Sequence, residues 1–183
     1  MAWKWPAEHN VDSKDYHPRI GGGQEVVDGD GRTGSYNLAK AGSPSTGIRF
    51  WSHPGYGVGT NGQSNADDYI DFIFTFEDAN TWCSGYRQSG YHHSSYYSTH
   101  TKDIEIFTGD SNFGPWTEVA TDSHIRYGNG NSARFSSQTT TEWTPAAPSK
   151  YLKVRTLTNH GETGWGGALS VQFLQLKFAV GSD

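Results

Sequence analysis

Tyr69-Ile70-Asp71-Phe72-Ile73-Phe74-Thr75-Phe76 places Ile70, Phe72, Phe74 and Phe76 at every second position. Successive side chains of an extended strand point to opposite faces, so this run predicts a half-buried β-strand with its apolar face on a core. Other runs carry the same signal. Ile48-Arg49-Phe50-Trp51 reads as a short strand, and Thr81 to Arg87 as another. Lys102 to Thr108 alternates with Ile104 and Ile106 inward, and Trp116-Thr117-Glu118-Val119 pairs back after the turn Gly109-Asp110-Ser111-Asn112. Tyr151 to Leu157 carries Leu152 and Val154 on one face. From Leu169 to Val180 the apolar positions are first odd (Leu169, Val171, Phe173) and then even (Leu174, Leu176, Phe178), which predicts a β-bulge near Phe173 and Leu174.

Composition points the same way. The hydrophobic fraction is 33%, with 23 glycines and 14% aromatic residues, a balance suited to short strands joined by turn-rich loops rather than to helices. No segment keeps a helical period over three turns. The 183 residues suffice for one core, so the expectation is a single all-β domain, an antiparallel β-sandwich. Residues 1–25 read as an N-terminal arm packed on that domain, with Trp3 and Trp5 spaced to lie on one side of an extended segment. Long polar loops, such as Ser52 to Asp68 and Gln88 to Thr101, are where function is expected.

Several function classes are excluded at this stage. A net charge of −5 with 14 thinly spread basic residues lacks the footprint that holds phosphate backbones, so nucleic acid is not expected as a partner. The same acidic balance argues against membrane insertion through loop tips. No stretch approaches the ~20 apolar residues that span a bilayer, and Met1 to Pro6 lacks the apolar core of a signal peptide. The single Cys83 cannot form an internal disulfide, which fits a reducing compartment or a chain whose leader has been removed, and the strand around it predicts a buried, unreactive thiol.

From about residue 26 onward the order of pieces resembles the discoidin domain, also called the coagulation-factor type C domain, and the related galactose-binding-like modules of bacterial glycosidases. The resemblance rests on the turn Val26-Val27-Asp28-Gly29-Asp30-Gly31-Arg32-Thr33, on Trp51, and on the strand Tyr69-Ile70-Asp71-Phe72. It continues through the hairpin Lys102 to Asp110 with Trp116 to Val119, and closes with Tyr151-Leu152-Lys153-Val154-Arg155 and Gly166 to Phe173. The pair of terminal cysteines found in the clotting-factor branch is missing, and Gln172 stands where an acidic residue is common. The resemblance implies an all-β, jelly-roll-like antiparallel β-sandwich (galactose-binding-domain-like) over residues 26–183, with ligand loops gathered at one end.

Candidate chemistry lies in those loops. Asp28, Asp30 and Thr33 place hard oxygen ligands around a tight glycine turn, which suits calcium, and the resemblance implies a structural calcium there with help from Gln172 on the last strand; an ordinary Asp-Gly turn is the alternative. Imidazoles, the N–H fork of Arg87 and the face of Trp165 are the means of sugar recognition: donors for hydroxyls and an apolar platform for a pyranose ring. By resemblance Arg87 matches the Arg that contacts sugar hydroxyls, His53 a sugar-binding His, and Trp165 the aromatic platform flanked by Asn159 and His160. Tyr91 and His92 complete the expected ligand set. Adjacent His92 and His93 on an extended segment point apart, so a shared transition metal is not expected.

Catalysis has little support in the sequence. Ile70-Asp71-Phe72-Ile73 resembles part of the Glu-x-Asp-x-x-Glu strand of jelly-roll glycanases, but Tyr69 and Phe74 occupy the two glutamate places, so the carboxylate pair is missing. Asp103 and Glu105 alternate on one face of a hairpin strand and read as outward, solvated carboxylates. The expectation is a non-enzymatic, lectin-like module that binds glycans or polysaccharide, with self-association as the natural route to avidity. The alternatives are a protein-interaction or structural module built on the Tyr-rich 91–97 loop and, behind it, an enzyme acting on polysaccharide.

Overall fold

The computed structural model describes residues 1–16, 49–51, 59–60, 69–90, 94–124, 139–161, 169–171 and 173–181. Ile70–Thr75 forms the strand that its alternation predicts, and we call it β5 in chain order. Before it come β1 (Ala2–Lys4), β2 (Asp12–Tyr16), β3 (Arg49–Trp51) and β4 (Gly59–Thr60). After it come β6 (Thr81–Ser89), β7 (Asp103–Gly109), β8 (Thr117–Ser123), β9 (Thr140–Glu142) and β10 (Tyr151–Thr156). The last are β11 (Thr158–Asn159), β12 (Leu169–Val171) and β13 (Phe173–Val180). Helix among the described residues is confined to short 3₁₀ turns, among them Pro6–Glu8 and Ser94–Thr99.

Two antiparallel sheets face each other, a five-stranded one ordered β2-β5-β10-β7-β8 and a four-stranded one ordered β1-β13-β6-β9. The register lines the inward residues up in rows: Phe72 lies opposite Val154, which lies opposite Ile106, and all three are buried. Leu174, Leu176, Phe178 and Tyr86 close the core from the other sheet. Each such large apolar side chain contributes about 1.5–3 kcal/mol on leaving water, which is why the alternation decides the fold.

The phase change expected near Phe173 and Leu174 has a different cause. Leu169–Val171 pairs with β3 in a separate two-stranded sheet, whereas Phe173–Val180 pairs with β6, so the parity switches where the chain changes sheets. The bulge sits further on, between Lys177 and Phe178, where the partner skips from Gly85 to Cys83. The extra residue, Ser84, flips the parity of β6 and lets both Cys83 and Tyr86 face the core.

The first sixteen residues are woven into the sandwich. β1 pairs with β13 and β2 with β5, supplying one edge strand to each sheet. Trp3 and Trp5 mark an extended segment, but neither stretch carries the long apolar alternation of a core strand. On the outer face of the five-stranded sheet, cations and rings alternate. Arg155 lies 3.8 Å from the Tyr69 ring centroid and 5.7 Å from that of Phe107, and Lys153 lies 4.2 Å from Phe107 and 4.7 Å from Trp116. This cover leaves Lys153 only 6% exposed on a face where solvent would be expected, and burial lowers the pKa of its ammonium.

Candidate functional site

The registers define two poles. At one, the last residue of β10, Thr156, lies opposite Ile70 and Ile104, and Phe173 lies opposite Ser89. Segments 17–48, 61–68, 91–93, 125–138 and 162–168 all leave described strands at this pole. The two-residue pair β11–β4 and the β12–β3 pair sit there too. The opposite pole carries the β7–β8 turn and residues 77–80 and 144–150.

Beneath the loop pole the core changes from apolar to polar. Gln88, Thr99, His100, Thr101, Asn159 and Ser170 are all buried there. They are joined by hydrogen bonds: Gln88 Nε2 donates to Thr101 Oγ1, and Thr99 Oγ1 donates to Ser170 Oγ over 2.6 Å. Tyr86 extends the chain by donating its hydroxyl to Gln88 Oε1. Burying polar groups is tolerable only when they are paired, so this layer fixes the strand ends through directional bonds. His100 packs edge-on to Tyr97 and lies so close to Gly90 that a side chain at that position would overlap its ring.

A second part of the layer involves charge. Asp103 accepts hydrogen bonds from Ser123 Oγ and Thr158 Oγ1. Burial would raise its carboxyl, but these bonds outweigh that effect and hold it below the usual carboxylate range. Thr141 Oγ1 donates to Asp122 Oδ2 over 2.8 Å, so its oxygen accepts from His124 Nε2 at 2.9 Å, which fixes the proton of the neutral imidazole on Nε2. Burial pulls the His124 pKa down to about 4 against the pull of Asp122.

Of the residues expected to bind sugar, Arg87, Asn159 and His160 are described. Arg87 lies within β6, two residues before the strand ends, on the outer face of the four-stranded sheet. Its Nε donates to Gln175 Oε1 over 3.0 Å, its Nη2 donates to the same oxygen, and its guanidinium lies 4.3 Å from the Trp3 ring centroid. Asn159 is buried, and its Oδ1 accepts the Gly161 N–H over 2.9 Å, which sets the path of the chain toward residue 162. His160 is half-buried and donates its backbone N–H to the Ser98 carbonyl over 3.0 Å. The β11 backbone bridges Thr101 and Thr60, so Asn159 and His160 join the turn at Ser98–Thr101. His53, Tyr91, His92 and Trp165 lie outside the described residues, as do the calcium candidates Asp28, Asp30, Thr33 and Gln172.

The polar layer itself was missed by sequence reading. His124, Thr141, Thr99 and Ser170 carry no motif; the available signal was hydroxyl and imidazole residues at inward positions of strand ends, where apolar side chains would otherwise stand. Two of the carboxylates weighed for catalysis are engaged in structural contacts: Asp71 forms a two-pronged pair with Arg155 at 2.8 and 3.0 Å, and Asp103 holds Ser123 and Thr158. Cys83 is buried and its thiol is pushed up to about 12 by burial.

Two cavities lie at the opposite pole. One, of about 640 Å³, is walled by Lys4, Glu8, Asn10, Glu77 and Asp78. Its floor ring, Phe178, is already covered by Lys4 Nζ at 4.6 Å from its centroid and by His9 edge-on. The other, of about 330 Å³, lies between the β7–β8 hairpin and residues 143–149.

Strand order, sheet pairing and a loop-bearing polar pole define a galactose-binding-like β-sandwich of the discoidin type. Solved structures of family 32 carbohydrate-binding modules share this fold. The family 32 module of Clostridium perfringens NanJ, in complex with galactose, superposes with a TM-score of 0.54 at 14% identity, covering 97% of this chain and 100% of that one. The Clostridium perfringens module CBM32-5, in complex with GalNAc-β-1,3-galactose, gives 0.53 at 10% identity over 94% of this chain and 97% of that one. The two-module CBM32-1 and CBM32-2 structure of Clostridium perfringens ZmpB, in complex with GalNAc, gives 0.51 at 16% identity; the match covers 85% of this chain and 33% of that longer one. No protein-family model matches the chain, and no curated protein matches it in sequence.

Proposed function

We propose that this chain is a non-enzymatic carbohydrate-binding domain that holds galactose-type sugars at its loop pole. The observation that supports the reading is the convergence of the strand ends: the described residues flanking segments 52–58, 91–93 and 162–168, which bear His53, Tyr91, His92 and Trp165, lie at the pole where Asn159 and His160 also stand. The shared fold supports it, because structures of that fold are known in complex with galactose and GalNAc. In this reading Arg87 donates to hydroxyls from a guanidinium held by Trp3 and Gln175, Trp165 offers the stacking face, and Asn159 shapes the turn at Gly161. Asp28, Asp30, Thr33 and Gln172 hold a structural calcium in the same proposal.

A shallow polar site gains about 0.5–1.5 kcal/mol net per hydrogen bond, so millimolar to micromolar affinity is expected, raised by self-association into multivalent copies. The test is a glycan array with the wild-type chain and the Arg87→Ala, Trp165→Ala double variant, run with and without a calcium chelator. Binding to galactose-bearing glycans that the folded double variant loses supports the reading. An array without a ligand favours a protein-interaction module instead.

A further inference from the structure

The smaller cavity at the pole away from the loops sits where the edge strands of the two sheets meet, between β8 and the chain that follows β9. Its lining is mixed on one side and mostly apolar on the other. Thr108, Asp110, Ser111 and Thr117 from the β7–β8 hairpin bring hydroxyls and a carboxylate beside the apolar Pro115 and Val119, and the facing chain is apolar from Trp143 to Pro148. Two lining residues carry buried polar atoms that find no hydrogen-bond partner in the protein, Nε1 of Trp143 and Oγ of Ser149. Ser149 is 4% exposed, so bulk water does not compensate its hydroxyl. Each such atom carries the full cost of its lost hydration, and because neither is exposed to the cavity as the side chains stand, a guest reaches them only when the side chains turn toward it.

We propose that this cavity is a second carbohydrate-binding site that takes a single pyranose residue. A pyranose has a hydroxyl-bearing rim and an apolar C–H face, which suit the hydroxyls and carboxylate of the hairpin and the mostly apolar chain around Trp143. A volume of about 330 Å³ is at the lower end of small-molecule sites and fits one ring better than a peptide several residues long. Asp110 and Thr117 accept from and donate to sugar hydroxyls, the Trp143 and proline wall covers the C–H face, and a χ1 rotation turns the Ser149 hydroxyl toward the ring. The site is separate from the loop pole and does not depend on the residues proposed there.

The experiment is an amide and indole NMR titration of the full chain with galactose, N-acetylgalactosamine, glucose and mannose in turn. The expected result is a saturable shift of the Trp143 indole N–H and the Asp110 and Ala146 amides with at least one sugar, at millimolar concentration. The Asp110→Ala, Thr117→Ala double variant, altered only at exposed side chains, should keep its melting temperature and bind at this pole about tenfold more weakly. Ser149→Ala should weaken binding while leaving the melting temperature equal or higher; a purely structural hydroxyl would change stability alone and would overturn the assignment. Shifts confined to residues of the loop pole would overturn this site and leave the first reading standing. A response of these signals to a polyproline peptide and to no sugar would make the cavity a peptide groove, which also overturns it.

Discussion

The guanidinium of Arg87 lies 4.3 Å from the centroid of the Trp3 ring. A residue expected to read sugar hydroxyls is thus positioned by the first strand of the chain, on the outer face of a sheet, and not by its neighbours in sequence. Gly85 makes the contact possible: a Cβ there would lie 2.7 Å from Trp3 Cη2 and 3.0 Å from Lys177 Cβ.

Gly85→Ala therefore displaces Trp3 and with it the stacked guanidinium. The expected loss is about 1–3 kcal/mol in urea unfolding, the usual cost of overfilling a packed site. Adding Trp3→Ala to that variant should cost much less than Trp3→Ala in the wild type, because the contact is already broken. Strictly additive losses would show that Gly85 and Trp3 act independently.

Gly90 plays the same part beneath the loops, where its bare backbone receives the His100 ring. Gly90→Ala should lower stability by roughly 1–3 kcal/mol and weaken glycan binding, since His100 belongs to the layer that holds the strand ends. Combining it with His100→Ala relieves the overlap and should recover part of the stability. A glycine variant with unchanged unfolding would refute the packing argument.

Acid should act on the fold through His124. Its pKa falls from 6.5 in the unfolded chain to about 4 in the folded one, so between these values the unfolded state binds a proton that the native state refuses. Stability is then complete above about pH 6.5 and declines as the pH drops toward 4, by about 2–3 kcal/mol between pH 7 and 4.5. His124→Gln, which keeps a donor for Thr141 but does not titrate, should flatten that slope. Asp103 works in a lower window, because its depressed carboxyl gives up its contribution only below the ordinary value of 3.8. An equal slope in the glutamine variant would assign the effect elsewhere.

Calcium should raise the melting temperature by several degrees when present well above its dissociation constant, by mass action on the folded state. Asp28→Asn with Asp30→Asn should abolish the increase. A wild-type melting curve indifferent to calcium and to chelator removes the ion from the proposal.

The parts of the fold that the sequence made legible are those where burial alone decides. Ile70, Phe72, Phe74 and Phe76 alternate because one face meets the core, and Ile104, Ile106, Leu152 and Val154 follow the same rule. The spacing of Trp3 and Trp5 marked an extended arm, but the pairing of Ala2–Lys4 and Asp12–Tyr16 into the two sheets was not legible, because these edge strands are held by backbone bonds that leave little trace in side-chain identity. Lys153 shows a further limit: an outward lysine reads as solvated, and only the rings of Phe107 and Trp116, brought from two other places in the chain, explain why it is covered. The layer of Gln88, Thr99, Thr101 and Ser170 escaped for the same reason, since each hydroxyl or amide finds its partner across the fold.

The pairing of Ala2 with Phe178 brings the two termini of the described chain side by side at the pole away from the loops. A reporter, a surface tether or a second copy joined at either terminus would thus leave from the back of the sandwich, so that immobilised or concatenated molecules present their loops outward without a long spacer.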